Sequence, residues 1–300
     1  MSSPRITRNR GPYLLIVPTI LVLIVAMGYP LGRQLILSFQ EFGRAQQFGQ
    51  PAEWVGLQNY QDLVTDRAMW TVVTRSLIFC AVCASVTMFI GTLFALLMKR
   101  VSTGPRLALQ ISLLLTWAMP VIAAMTAWQW LFDTRYGVIN WTLKNLGFSS
   151  FENHNWLIEP LSFFSVAGVI VIWMSVPFVA FTTYAALTQV SEETLEASHL
   201  DGATALQRFR HITFPTIKPV LTIVMLLQVV WDLRVFAQID FLQKVGGTVS
   251  QTHLMGTYIY TLGIGQSDYG SASALSMFVL VLTLALTFRY VRRLLAEDAS

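Results

Sequence analysis

The chain of 300 residues is 54% apolar and only 12% charged, with a mean hydropathy of +0.57. A water-soluble domain carries about 25% charged residues, so composition excludes an ordinary soluble protein and places most of the chain in a bilayer. The net charge of +4 is no argument for a nucleic-acid partner, because it arises from a sidedness bias described below.

In chain order, residues 1–12 form a polar, basic tail with Arg5, Arg8 and Arg10. Six apolar segments follow, near 13–37, 77–98, 107–132, 161–187, 219–242 and 272–291. Each is long enough for a hydrocarbon core of about 30 Å, which takes about 20 helical residues. Helices are predicted because a lipid-facing backbone must satisfy its own hydrogen bonds, and because Leu77 to Met98 is apolar without the alternation of a barrel strand. The basic start fits a signal peptide, but the apolar run continues past Tyr29-Pro30, which predicts an uncleaved first span. The loop 40–76 holds Trp54-Val-Gly-Leu-Gln-Asn-Tyr60 and a helical-looking stretch from Gln61 to Thr74. A short turn at 99–106 carries Gly104-Pro105. The loop 133–160 is rich in Asn, Gly and aromatics, a composition suited to a lid or docking surface. Trp128, Trp130 and Trp173 read as interface-belt or packing aromatics. The membrane domain thus covers 13–291, followed by a short tail at 292–300.

Twelve Lys and Arg flank one side of these spans: Arg5, Arg8, Arg10, Lys99, Arg100, Arg106, Arg208, Arg210, Lys218, Arg289, Arg292 and Arg293. Six flank the other: Arg44, Arg67, Arg75, Arg135, Lys144 and Lys244. The richer side is predicted to be cytoplasmic, so both termini are expected inside.

Several motifs carry nothing further. Cys80 and Cys83 lie one turn apart in an apolar span and read as buried side chains. The four histidines are scattered, without zinc-site spacing. Asn140-Trp-Thr142 matches the glycosylation sequon, a pattern frequent by chance. No lysine follows glycine, since Lys99, Lys144, Lys218 and Lys244 follow Met, Leu, Ile and Gln. A phosphate-cradling loop ending in Gly-Lys-Ser/Thr is therefore absent, and any nucleotide must be handled by another polypeptide.

A polar island at 188–218 interrupts the spans, although a connection between adjacent spans needs only a few residues. Ser191 is the predicted N-cap of a helix whose first turn holds Glu192 and Glu193, where the helix dipole favours negative charge. That helix runs to about Leu200, with Gly202 in the left-handed position beyond it. A second helix from Ala203 sets Leu206, Phe209 and Ile212 on one face, and Pro215 and Pro219 are expected to end it.

The pattern Glu196-Ala-Ser-x-x-Asp201-Gly202-Ala203, then Phe209, Ile212 and Pro215, resembles the EAA loop of binding-protein-dependent ABC importer permeases. Ser198 stands in place of the second Ala, and Ser191 in place of a usual Pro. Trp54 to Tyr60 is similar to an element after the first span of the sugar permeases, and Asp268-Tyr-Gly-Ser-Ala-Ser-Ala-Leu275 to their lead into the last span. Gly246-Gly247 sits near their Gly-Gly-Pro turn, with Thr248 in place of Pro. Trp231 to Ile239 resembles the permeases of mycobacterial trehalose importers. The resemblance implies an all-α membrane protein of six transmembrane helices, type I ABC importer permease-like, with a cytoplasmic EAA coupling helix pair. It implies the plasma membrane of a bacterium and a permease that performs no covalent chemistry. Its implied partners are a second homologous permease subunit, two copies of a cytoplasmic ABC ATPase that holds the ATP and Mg, an extracytoplasmic sugar-binding lipoprotein, and membrane lipid. The chain itself is expected to bind no cofactor. Glu196, Ala197, Asp201 and Gly202 would form the ATPase contact, and the cargo would be a sugar, a disaccharide such as trehalose.

Ionisable groups inside a span are costly and face cavities or partners. At helical spacing, Trp231, Arg234 and Gln238 share one face of the fifth span, and Asp232, Phe236 and Asp240 another. A flat ring beside carboxylate, guanidinium and amide suits a sugar. Pairing of Asp232 and Arg234 with neighbouring subunits is the other reading. The resemblance adds Thr257 and Tyr260 as path residues. An ion-gradient-driven secondary transporter, with Asp232 and Asp240 as proton carriers, is the alternative function. A scaffold without transport is a third. No inverted repeat supports the secondary transporter, and it leaves the polar island unexplained.

Overall fold

The computed structural model describes residues 11–298. The basic residues Arg5, Arg8 and Arg10 lie outside them. Helix α1 (Gly11–Leu23) continues through a π-helical turn at Ile24–Gly28 into α2 (Tyr29–Leu37). Strands β1 (Gln40–Glu41) and β2 (Glu53–Trp54) pair antiparallel, Gln40 opposite Trp54, around α3 (Arg44–Gln47). Then come α4 (Gln58–Thr65), α5 (Arg67–Arg100), α6 (Thr103–Ala118), α7 (Val121–Leu131), α8 (Val138–Asn145) and α9 (Pro160–Leu187). Helices α10 (Glu192–Leu200) and α11 (Ala205–Arg208) lead through a second π turn, Phe209–Thr213, into α12 (Phe214–Leu233). The chain closes with α13 (Ala237–Val245), α14 (Val249–Thr252), α15 (Met255–Tyr260), a third π turn at Thr261–Gly265, and α16 (Tyr269–Asp298).

Among the described residues, five helical stretches are long and apolar enough to cross a membrane: Leu15–Leu37, Arg67–Arg100, Pro160–Leu187, Ala205–Val245 and Tyr269–Arg292. A sixth is α6 with α7, bent by 104°. This is the all-α membrane architecture expected, with three differences. The second span starts at Arg67, so the helix expected at 61–74 is instead α4 followed directly by α5. The third is broken at Met119-Pro120, because Pro120 has no N–H for a carbonyl one turn back and disfavours helix at the residue before it. Pro215 and Pro219 do not end the helix from Ala205. The wide π turn just before Pro215 makes room for its ring, and the helix runs on to Leu233.

The chain forms two compact units. One holds the residues up to Arg67 together with Ile259–Val281. In it the Asn59 amide donates to the carbonyls of Ser38 (3.1 Å) and Gln40 (3.0 Å), and the Tyr60 hydroxyl to Ser38 Oγ (2.7 Å). The backbone N–H groups of Tyr269 and Gly270 both donate to the Phe42 carbonyl, at 2.9 and 3.1 Å. A side chain at Gly270 would put its Cβ 2.5 Å from the Gln40 carbonyl oxygen. The motif around Asn59 and Tyr60 is therefore a clamp that fastens the end of the first span to the start of the last. Beside it lies a polar hollow of about 470 Å³, lined by Glu41, Arg44, Gln58, Asn59, Asp62 and Asp268 among others.

The other unit comprises Ala68–Tyr258 and the residues from Leu282. Helix α9 is apolar on all sides and lies at its centre, as such helices do. Phe163, Val166, Ile170 and Val171 pack there with Phe79 and Cys83 of α5, Met125 of α7, and Ile239 and Leu242 of α13. Cys80 and Cys83 are free and buried, as expected. Lys99 Nζ donates to the Leu187 carbonyl (2.9 Å), so the C-terminal ends of α5 and α9 lie together. A second cluster of Ala95, Ala186, Leu187, Val190 and Ile217 sits at that end, with Leu195 and Ile212 against it.

Asn59→Ala removes two hydrogen bonds to otherwise buried carbonyls, worth about 1–3 kcal/mol together. Gly270→Ala forces backbone apart at similar cost. Both variants are expected to lower the melting temperature of the detergent-solubilised protein, and a melt unchanged within error would show that the clamp contributes nothing.

Candidate coupling and translocation site

The helix pair at 191–213 is built by local chemistry at every boundary. Ser191 Oγ accepts from the Thr194 N–H (3.3 Å), capping α10, and Glu192 and Glu193 lie in its first turn. At its end the Gly202 N–H donates to the His199 carbonyl (3.1 Å) and the Ala203 N–H to the Ser198 carbonyl (3.0 Å). This is a Schellman closure, and it holds Gly202 at φ +80°, where a side chain is strained. Thr204 and Gln207 then form a reciprocal capping box that starts α11. Arg208 Nη1 donates back to the Ala203 carbonyl at 2.6 Å.

Glu196, Ala197, Asp201 and Gly202 are all exposed, along the second half of α10 and the turn that closes it. Leu195 and Ile212 turn the opposite way, into the cluster around Leu187 and Ile217. Leu206, expected to share one face with Ile212, is 75% exposed while Ile212 packs inward, and Leu200 is 88% exposed. The reason is the π turn: adding a residue to one turn puts Leu206 and Ile212 out of phase. The exposed turn therefore presents two carboxylates flanked by two leucines. A Leu on each side of a helix–Gly–helix turn was the available signal in the sequence.

The candidate path residues are not assembled on one continuous helix. Helix α12 ends at Leu233, and Arg234-Val235-Phe236 form a break before α13. The two shared faces expected across 231–240 are thus interrupted. Trp231 and Arg234 are exposed, and the Trp231 ring meets Phe178 edge-on at 4.9 Å. Asp232 points the other way and is buried. Its Oδ1 accepts from Gln228 Nε2 at 2.9 Å, while its Oδ2 and Gln228 Oε1 have no partner. Gln228, four residues before Asp232, is the polar group the sequence reading missed. Gln238 on α13 is half-buried, with its amide 3.8 Å from Met174 Sδ. Tyr260 is 42% exposed and belongs to the other compact unit.

Thr257 is buried and serves the backbone: its hydroxyl bonds to the Leu254 N–H and carbonyl, both at 3.1 Å. It belongs to a latch in which the Arg75 guanidinium donates to the His253 carbonyl (3.2 Å) and Ser76 Oγ accepts from the Met255 N–H (2.9 Å). Within the same latch His253 Nδ1 lies 3.4 Å from Thr257 Oγ1. Burial, and then the Arg75 charge, hold the His253 imidazole below its usual titration range. Among the described residues no group of acidic, His or Cys side chains is arranged to hold a metal ion. Asn140 of the sequon is buried with its amide donating twice, to the Thr134 and His154 carbonyls.

Five apolar spans and a bent pair forming a sixth, with a capped helix pair between two of them, define a multi-pass membrane protein. Residues 87–298 match the family described as the binding-protein-dependent transport system inner membrane component, and the chain belongs to that family. It is 39% identical over 288 residues to the diacetylchitobiose uptake system permease protein DasB of Streptomyces coelicolor, a match covering 96% of this chain and 88% of the relative. It is 33% identical over 284 residues to the trehalose/maltose transport system permease protein MalF of Thermococcus litoralis, covering 93% and 92%. In fold it is similar to a chain of a bacterial ABC transporter involved in the import of the acidic polysaccharide alginate, with a TM-score of 0.80 at 22% identity and 96% of both chains covered.

Because the folded chain holds His253 less basic than the unfolded chain does, the unfolded state binds more protons over the interval between the two values. The stabilisation is complete above the unfolded value near 6.5 and is lost as pH falls through it towards the folded value. Melting temperature is expected to drop between pH 7.5 and 5.5, and His253→Gln to flatten that slope; an equally steep slope in the variant would remove His253 as its cause.

Proposed function

We propose that this chain is one permease subunit of an ATP-driven sugar importer, with the turn around Gly202 as its contact with a cytoplasmic ATPase. Family membership supports transport in general, and the exposed, doubly capped turn supports the coupling role. Carboxylates on a short helix suit arginine or lysine partners, and flanking leucines suit a shallow apolar groove. In this reading the 191–213 helix pair is cytoplasmic, as the distribution of Lys and Arg favours, and both termini lie inside. ATP and its Mg bind the partner ATPase, two copies of which act on this chain and a second permease. An extracytoplasmic binding protein delivers the cargo. Closure of the ATPases moves the two EAA loops and switches the pathway between its two faces.

The proposed cargo is a disaccharide, with trehalose the specific candidate. The named cargoes of two relatives, diacetylchitobiose and trehalose/maltose, support the disaccharide class, and the 231–239 segment motivates trehalose. Trp231, Asp232, Arg234 and Gln238, with Thr257 and Tyr260, are the proposed path residues. The exposed pair Trp231 and Arg234 suits sugar contact best, while Asp232 and Thr257 act from within the bundle. Nothing favours the ion-driven alternative.

Glu196→Lys or Gly202→Asp is expected to leave the chain in the membrane while ATPase copurification and uptake fall about tenfold or more, the effect of ~1.4 kcal/mol at the contact. Normal copurification with intact uptake in both variants would refute the coupling role. Arg234→Ala is expected to impair uptake more than assembly. Labelled trehalose uptake by the whole transporter, competed by diacetylchitobiose or maltose, assigns the cargo; absence of trehalose uptake would remove it as the candidate.

A further inference from the structure

We infer that the lobe formed by residues 132–159 is a lipid-binding surface that lies in the membrane–water interface, with α8 embedded among the headgroups. The lobe joins α7 to α9, on the side of the membrane opposite the α10–α11 pair, because α9 runs across the bilayer from Pro160 to Leu187.

The lobe is a rigid small structure. Asn140 ties its two halves, donating to the Thr134 and His154 carbonyls and accepting from Trp156 Nε1 at 2.6 Å. Trp156 stacks on Phe151 (5.3 Å) and meets Phe132 (5.5 Å) and His154 (4.9 Å) edge-on. Lys144 and Glu152 form an ion pair across it. Asp133 Oδ1 accepts from the backbone N–H groups of Tyr136 (2.8 Å) and Arg135 (2.9 Å), closing the turn after α7. Having met its own polar needs, the lobe still leaves large apolar side chains uncovered. Tyr136 is 87% exposed, Trp141 67%, Leu146 68% and Val138 55%. Large apolar side chains left exposed together on so small a lobe mark an interaction site.

The occupant follows from continuity with the spans. The exposed apolar set extends to Trp130 (74% exposed) at the end of α7 and Leu161 (83% exposed) at the start of α9, both at span ends. Only six residues separate α7 from α8, so the lobe stays within reach of the bilayer boundary. Trp and Tyr with an apolar body and a polar tip prefer that boundary. A short helix with Val138 and Trp141 on one face and Lys144 at its edge is suited to lie in it. Lys144 and Glu152 pair with each other and Asp133 is engaged by backbone N–H groups, so three of the lobe's charged side chains are used internally. An interfacial lobe would hold the outer end of the broken third span at a fixed depth, since α7 alone is too short to cross.

The test is spin-label accessibility in the assembled transporter in lipid nanodiscs. Val138→Cys and Trp141→Cys are labelled separately, the native Cys80 and Cys83 being buried, with Ser150→Cys as the exposed polar comparison. Both helix positions are exposed, so neither substitution threatens folding. Labels at 138 and 141 are expected to collide severalfold more with oxygen, which concentrates in lipid, than with a water-soluble nickel chelate, and the label at 150 to show the reverse. Nickel-dominated collisions at both 138 and 141 would place the surface in water and overturn the proposal. Low collision rates with both probes would mean a covering protein and overturn it equally. Because depth is read without transport, loss of uptake in these variants leaves the result intact.

Discussion

The structure is governed by the rule that backbone polar groups in a bilayer must be satisfied within the protein. The informative places are those where the spans depart from plain α-helix. Two π turns, Ile24–Gly28 and Phe209–Thr213, stand just before Pro30 and Pro215, where an ordinary turn would set a ring against a carbonyl. At the second of these turns this has a mechanical result. Residues from Ala205 to Leu233 form one helical stretch, so the exposed turn at Gly202 is joined to a membrane span without a loop. In the proposed function, force on that turn passes straight into α12.

Where helices do break, polar side chains collect. The break at Arg234-Val235-Phe236 frees helix-end groups in the middle of an otherwise continuous stretch, and Asp232, Gln228 and Arg234 cluster around it. Within lipid such irregular backbone persists only where protein or an aqueous path covers it. Beside the break, Asp232 is buried with a single hydrogen bond from Gln228, while Arg234 is exposed. The two ionisable groups that look like neighbours in sequence thus have opposite surroundings, and the same break that separates them is the feature expected of a path-lining helix.

Much of this was legible in the residues. Apolar length gave the spans, Ser191 and Gly202 marked both ends of α10, and the resemblance to the EAA loop singled out Glu196 and Asp201 beside Gly202. What escaped reading shares one physical origin, helical phase across non-α turns. Periodicity from Leu206 to Ile212 assumes 3.6 residues per turn, and the π turn at 209–213 invalidates it. The same assumption joined Trp231 to Gln238 across a helix that ends at Leu233. Pro215 and Pro219 read as stops because their effect depends on the turn preceding them, which propensity does not reveal. The clamp by Asn59 was visible only as a motif, since its partners, the Ser38 and Gln40 carbonyls, are backbone groups without a sequence signature.

The latch around His253 shows how the segment between the last two spans is held where α14 gives way to α15. Its contacts to α5 come from Arg75 and Ser76, adjacent residues near the start of a span, and both engage backbone atoms: the His253 carbonyl and the Met255 N–H. A side chain that bonds backbone constrains position irrespective of the identity of the residue whose backbone it holds. Thr257 belongs to the same logic, since its hydroxyl caps the Leu254 backbone. That makes it a support for the path proposed along α12 and α13, whereas Trp231 and Arg234 carry the exposed chemistry. The division between groups that hold backbone and groups left free is what distinguishes scaffold from contact surface in a permease with no covalent step to perform.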